Sequence, residues 1–161
     1  MKRIVYLFAI VCVTTLANAD HRNKSSLKAS LDGFHEVPAI SSTGSGELRL
    51  RIVNENAIDF ELEYEGLEGT TTTASHVHLG QTSVNGGVSF FLCGGGGRPA
   101  CTPTAGSFSG TVTAADILGP AGQGIAAAEF AEVLHALRSG VTYVNVHTDK
   151  HPGGEIRGQI K

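Results

Sequence analysis

The chain of 161 residues has no tryptophan and one methionine, and seven phenylalanines and three tyrosines are its only aromatic residues. Basic residues are also scarce: 12 lysines and arginines face 15 aspartates and glutamates, for a net charge of −3 at neutral pH. No basic stripe interleaved with aromatic rings is present, which argues against nucleic-acid binding. Nor is there an amphipathic basic segment that would dock on a membrane surface. The single long apolar run, Ile4 to Val13, is too short to span a bilayer. No internal repeat and no linker-like boundary divides the chain.

That apolar run has a different reading. Met1-Lys2-Arg3 is a charged start, and Ala17-Asn18-Ala19 has the small-x-small form of a signal-peptidase site. Residues 1–19 are therefore expected to be a signal peptide. Residues 20–26 would be a mobile lead-in and 27–161 a single domain, exported to the periplasm or secreted. His21 would then lie at the mature N-terminus, where histidines are usually solvated. Cleavage removes Cys12 and leaves Cys93 and Cys101, which an oxidising compartment should join as a disulfide. The rival reading of that pair is two thiolate metal ligands. The bridge would close a glycine-rich loop, Gly94 to Ala100, worth about 2–3 kcal/mol in the chain-entropy model.

Within the domain the patterning is mainly that of strands. Leu27 to Phe34 reads as a first strand. Leu48, Leu50 and Ile52 then alternate with Glu47, Arg49 and Arg51. After the Asn54-Glu55-Asn56 turn, Ile58, Phe60, Leu62 and Tyr64 alternate with Asp59, Glu61 and Glu63. Two such runs predict an antiparallel hairpin with one wet face. Further strands are expected at 74–80, 88–93, 107–113, 142–148 and 155–160. Ala126 to Arg138 is the one expected helix, with Ala127, Phe130, Leu134 and Leu137 on its apolar face, His135 exposed and Gly140 as a stop. Many short strands with glycine-rich turns and one short helix predict an antiparallel, Greek-key-like β-sandwich or partly open barrel.

The chemistry concentrates in the histidines. In Ser75-His76-Val77-His78-Leu79, alternation sends both imidazoles to one face and Val77 to the core. Their Cα atoms would lie roughly 6–7 Å apart, close enough for both rings to turn onto one ion. On the strand 142–148, Val144 and Val146 share the apolar face, so Tyr143, Asn145 and His147 share the other. His147 thus becomes a third candidate ligand, and His35 and His151 are two further ones. Imidazole suits copper, zinc, nickel and iron, whereas calcium and magnesium would want clustered carboxylates. An HxH pair alone is a weak signal, since strand histidines on an outer face are often only solvated; a third strand histidine strengthens it. Asn145 and Arg157, facing the same way, are candidates to orient the rings or attract anions. Glu155 and Arg157 could pair across strands.

Several stretches together carry a resemblance: Leu31-Asp32-Gly33 with Glu36-Val37-Pro38, then Ser75 to Gly80, then Tyr143 to Thr148 with Pro152-Gly153-Gly154-Glu155-Ile156-Arg157-Gly158-Gln159. In these the chain resembles the CHRD domain family, named from chordin, over Leu27 to Lys161. The resemblance implies an extracellular β-sandwich and admits a protein-interaction module, because chordin binds secreted signalling factors. His35 and His151 fall outside the family pattern. A fainter resemblance is to copper/zinc superoxide dismutase, in the order of His76, His78, His147 and Arg157. No histidine occurs between Leu79 and Glu132, so the bridging and zinc-site histidines of that enzyme have no counterpart.

The sequence therefore predicts an exported protein holding one copper ion through His76, His78 and His147, with His35 or His151 completing the site. Zinc is the close competitor. An extracellular module without metal chemistry, binding another exported protein, and a mononuclear copper redox enzyme are the alternatives.

Overall fold

The computed structural model describes residues 24–161. The expected signal peptide, His21 and most of the lead-in lie outside the described residues. Eight strands follow in chain order: β1 (Ser26–Asp32), β2 (Ser45–Asn54), β3 (Ala57–Glu65), β4 (Thr72–Leu79), β5 (Val88–Cys93), β6 (Gly106–Val112), β7 (Thr142–Thr148) and β8 (Ile156–Gln159). All belong to one sheet in the order β5-β4-β7-β8-β1-β2-β3-β6. Every pairing is antiparallel. The chain runs β1 to β3 as a meander and then crosses to the far side of the sheet for β4 and β5. It returns for β6 beside β3 and crosses again for β7 and β8, which is the expected Greek-key connectivity.

The sheet rolls into a nearly closed barrel whose open seam lies between the edge strands β5 and β6. A disulfide joins Cys93, at the end of β5, to Cys101 in the segment leading to β6. From the loop it closes, Arg98 reaches across the seam. Its guanidinium donates to the Thr111 carbonyl at 2.9 Å, pairs with Asp116 at 3.0 Å and lies 5.3 Å from the Phe60 ring centre. The bridge and this one side chain therefore cover an edge that would otherwise offer unpaired backbone.

Alternation fills the barrel. Leu27, Ala29 and Leu31 of β1, Leu48 and Leu50 of β2, and Ile58, Phe60 and Leu62 of β3 are buried inside it. They meet Val77, Phe90, Leu92, Val144, Val146 and Ile156 from the other strands. A short helix, α1 (Phe130–Arg138), adds Phe130, Val133, Leu134 and Leu137 to this core.

Most element bounds differ from the sequence reading, those of the strands by one or two residues, and two of the differences have a local cause. The helix begins at Phe130 rather than Ala126 because Ala128 adopts φ +67°, a left-handed conformation that a helix cannot continue through. Ala127 is consequently exposed, and Val133 and Ala136 take its place on the buried face. Strand β1 ends at Asp32 rather than Phe34. The Asp32 carboxylate accepts the His35 N–H at 3.1 Å and turns Gly33–His35 into a single 3-10 turn.

Candidate metal centre

Strands β4 and β7 pair so that His76 lies opposite Asn145, His78 opposite Tyr143, and Ala74 opposite His147. All of these polar residues project from the outer side of the barrel, while Val77, Val144 and Val146 point inward with no exposed surface. On most sheets an outer face is wet; here His76 and His78 are only 9% and 7% exposed. The third ring, His147, is half-buried. Strand β5 carries a bulge on either side of the His76–Val77 pair, skipping Leu92 and Ser89 in the register. Its Phe91 ring packs edge-on against His76 at 4.9 Å.

One nitrogen from each of His76, His78 and His147 falls within 4.8 Å of the other two. Among the described residues this is the one group of three or more metal-ligating side chains so arranged. His76 Nδ1 lies 2.7 Å from His78 Nε2. Asn145 Oδ1 lies 3.0 Å from His78 Nε2 and 3.0 Å from His147 Nε2. Ligands bound tetrahedrally to zinc or copper at about 2.0–2.1 Å are a little over 3 Å apart, so the spacing suits one ion.

Two of the rings have their tautomer fixed from behind. His78 Nδ1 donates to the Gly86 carbonyl at 2.9 Å, and His147 Nδ1 donates to the Pro152 carbonyl at 2.9 Å. A carbonyl can only accept, so both hydrogens reside on Nδ1 and both Nε2 lone pairs face the cluster. Burial pushes the His76 imidazolium down to about 3 and that of His78 to about 4, with the neighbouring rings adding to the effect. Burial also lowers His147, against the Pro152 hydrogen bond that raises it. All three rings are neutral at physiological pH, the form that binds metal.

The supporting layer comes from Tyr143 and Arg157. The Tyr143 ring stacks on His78 at 4.6 Å with only 2° between planes. Strand β7 lies between β4 and β8, so Arg157 reaches Tyr143 from the opposite side, its Cζ 3.4 Å from the ring centre. The guanidinium also donates to Asn85 Oδ1 at 2.9 Å, the Val84 carbonyl at 2.8 Å and the Gln81 carbonyl at 3.3 Å. It thereby pins the 80–87 loop that delivers the Gly86 carbonyl to His78. Gly86 itself tolerates no side chain, because a Cβ there would collide with the Leu79 carbonyl.

The cross-strand Glu155–Arg157 pair does not form. Glu155 precedes β8, just after Gly154 at φ +124°, and its carboxylate faces the other way. It accepts from Ser42 Oγ, the Glu68 N–H and Thr148 Oγ1, each at 2.7 Å. Burial raises the Glu155 carboxyl, but these donors and the Gly69 N–H outweigh it and hold it below the usual range.

Three of the five candidate histidines thus converge and two stand outside the cluster. His35 is exposed, its Nδ1 held 2.8 Å from Asp32 Oδ1. His151 is half-buried in the turn before β8, where its backbone carbonyl accepts from Thr148 and Gly154. Asn145 touches two of the three rings, and Arg157 acts at one remove through Tyr143 and the loop. Glu36 entered the sequence reading only as part of the Glu36-Val37-Pro38 stretch of the family resemblance, not as a site residue, and yet it belongs to the neighbourhood. It is 5% exposed, and its Oε1 accepts from Asn145 Nδ2 over a long 3.4 Å. Burial raises its carboxyl, opposed by the Val37 N–H, the Arg157 charge and Asn145.

The family model of the CHRD domain matches residues 27–160. The chain belongs to the CHRD domain family. No curated protein matches it beyond that. CHRD domains are extracellular, and the Cys93–Cys101 disulfide fits an exported CHRD protein. Among the described residues no helix is long and apolar enough to cross a membrane. In this CHRD domain the histidine triad is a group that could hold a metal ion.

Proposed function

We propose that this CHRD domain is an exported, mononuclear copper-binding protein, with His76, His78 and His147 as ligands. One observation carries the reading. Two imidazoles locked as Nδ1–H tautomers by backbone carbonyls turn their Nε2 lone pairs onto a single point, next to a third ring. His76 has one hydrogen to give on this side, so at least one of these buried lone pairs is left without a donor, and a cation among the rings removes that cost.

Copper is favoured over zinc because neutral imidazoles suit it and Cu(II) heads the divalent affinity order. The leader at residues 1–19 would deliver the protein to the periplasm or beyond, where copper is handled outside the cytoplasm's thiol pool. The chain's own contribution is to hold three neutral rings in place without a conformational search.

The test is the metal content of the protein recovered after export, in wild type and in His76→Ala/His78→Ala. The expected result is close to one copper per wild-type chain and none in the variant. Zinc in the same ratio would reassign the metal. A wild type that carries neither and takes up neither on titration would favour the interaction module.

A further inference from the structure

Resting on that reading, we infer that the Asn145 side-chain amide is a fourth ligand, binding the ion through Oδ1, and that Glu36 sets its orientation. Oδ1 lies 3.0 Å from both His78 Nε2 and His147 Nε2. Hydrogen-bond distance would ordinarily mean that something donates. Here neither nitrogen has a hydrogen, because both rings spend theirs on the carbonyls of Gly86 and Pro152. A carbonyl-type oxygen therefore faces two lone pairs with no hydrogen between them. His76 does not relieve this. Its Nδ1 lies 2.7 Å from His78 Nε2 and its ring also faces Asn145, so its one hydrogen is divided between two acceptors and leaves the His147 Nε2 lone pair with none. The arrangement is that of an N3O donor set around a cation.

The amide could reduce the repulsion by turning over, placing Nδ2 toward the imidazoles. Glu36 opposes this. Its carboxylate accepts from Nδ2 on the other side, and a turned amide would set Oδ1 against Glu36 Oε1, acceptor against acceptor. Gly154 makes the close approach feasible, since a Cβ at that position would strike Glu36 Oε1 and crowd Asn145 Nδ2. Glu36 is thus a positioning residue acting through Asn145. An oxygen donor beside three imidazoles would also favour Cu(II) over the softer Cu(I), making the site one that resists reduction.

Copper(II) binding to the metal-free protein separates the possibilities, read by competition affinity, EPR hyperfine splitting and the visible d–d band. For Asn145→Leu, similar in shape but with no donor, the expectation is a loss of about 10–100-fold in copper affinity, with the spectrum changed. Asn145→Asp keeps an oxygen in place and should bind at least as tightly as wild type, again with a shifted spectrum because a carboxylate has replaced an amide. Glu36→Gln should show a smaller loss and a mixed spectrum, since a glutamine side chain accepts either amide orientation. If Asn145→Leu fails to fold, the near-isosteric Asn145→Asp decides alone. Copper held by three imidazoles with wild-type spectra and affinity in both Asn145 variants overturns this inference and leaves the triad standing. Wild type that binds no copper overturns both.

Discussion

The two halves of the barrel use the same alternating pattern to opposite ends. In β1, β2, β3 and β6 the inward residues form the core and the outward ones meet solvent: Lys28, Arg49, Arg51, Glu61, Glu63, Ser107 and Ser109 are all exposed. A surface cleft of about 860 Å³ opens on this half between Arg49, Arg51, Asp59 and Glu61, and no histidine lines it. In β4, β7 and β8 the outward residues are polar as well, yet His76, His78, Tyr143, Asn145 and Arg157 are all buried. What differs is the cover. The 80–87 loop and the segment carrying Glu36 lie over this half, so its outer face is desolvated. Polar groups on the first half interact with water, whereas on the second each must find a protein partner or a ligand. The histidine triad lies on the sheet face where polarity is costly, and that cost keeps its imidazoles neutral.

Substitutions should expose this asymmetry. Arg157→Leu removes the stack over Tyr143 and three hydrogen bonds from a charged donor, so a loss of about 3 kcal/mol or more is expected by urea denaturation. Copper affinity should fall with it, because the Gly86 carbonyl is no longer held against His78. Arg157→Lys should rescue little, since a lysine cannot stack and fork in the same way.

Metal loading should move the second half alone. Free copper at about a hundred times its dissociation constant contributes about 2.7 kcal/mol, which is about 5–10 °C in Tm for a domain of this size. The shift should vanish in His76→Ala/His78→Ala. Opening the disulfide with Cys93→Ser/Cys101→Ser is expected to lower stability by about 2–3 kcal/mol at the β5–β6 seam. That loss should leave the Cu(II) spectrum as it was.

Acid should act in the same place. His76 and His78 are held near 3 and 4 when folded, below their unfolded values, so between those limits the unfolded chain binds more protons. Their contribution is fully present above about pH 6.5 and is lost as pH falls towards 4, at about 1.4 kcal/mol per pH unit for each ring. Metal-free wild type should therefore lose stability over that window faster than the double alanine variant, by thermal melts across the pH range. On the first half, Arg49→Ala and Arg51→Ala remove exposed ion pairs to Glu47 and Asp59 and should change stability by less than about 0.5 kcal/mol.

The same contrast explains what could be read from the residues alone. The hairpin of β2 and β3 was legible because one face is wet and the alternation is clean. The shared face of His76, His78 and His147 was legible for the same reason, since strand geometry has a strict period of two. The cover over that face was not. Nothing local marks Gly86 or Pro152 as the carbonyl that fixes a ring, and Glu36 reaches Asn145 from 109 positions away in sequence. The Glu155–Arg157 pair failed for a local reason, a glycine at positive φ that ends the alternation before β8 starts. Helix α1 was legible from its apolar spacing, but its first turn was not, because one alanine at φ +67° overrides propensity.

The most direct test is a titration of the metal-free mature protein with Cu(II), followed by EPR, in wild type and His147→Ala. A single tight site is expected, saturating at one equivalent with hyperfine structure from three imidazole nitrogens, and losing one nitrogen and most of its affinity in the variant. Weak binding at several equivalents, or a wild-type spectrum retained in His147→Ala, would contradict a metal centre built by β4 and β7.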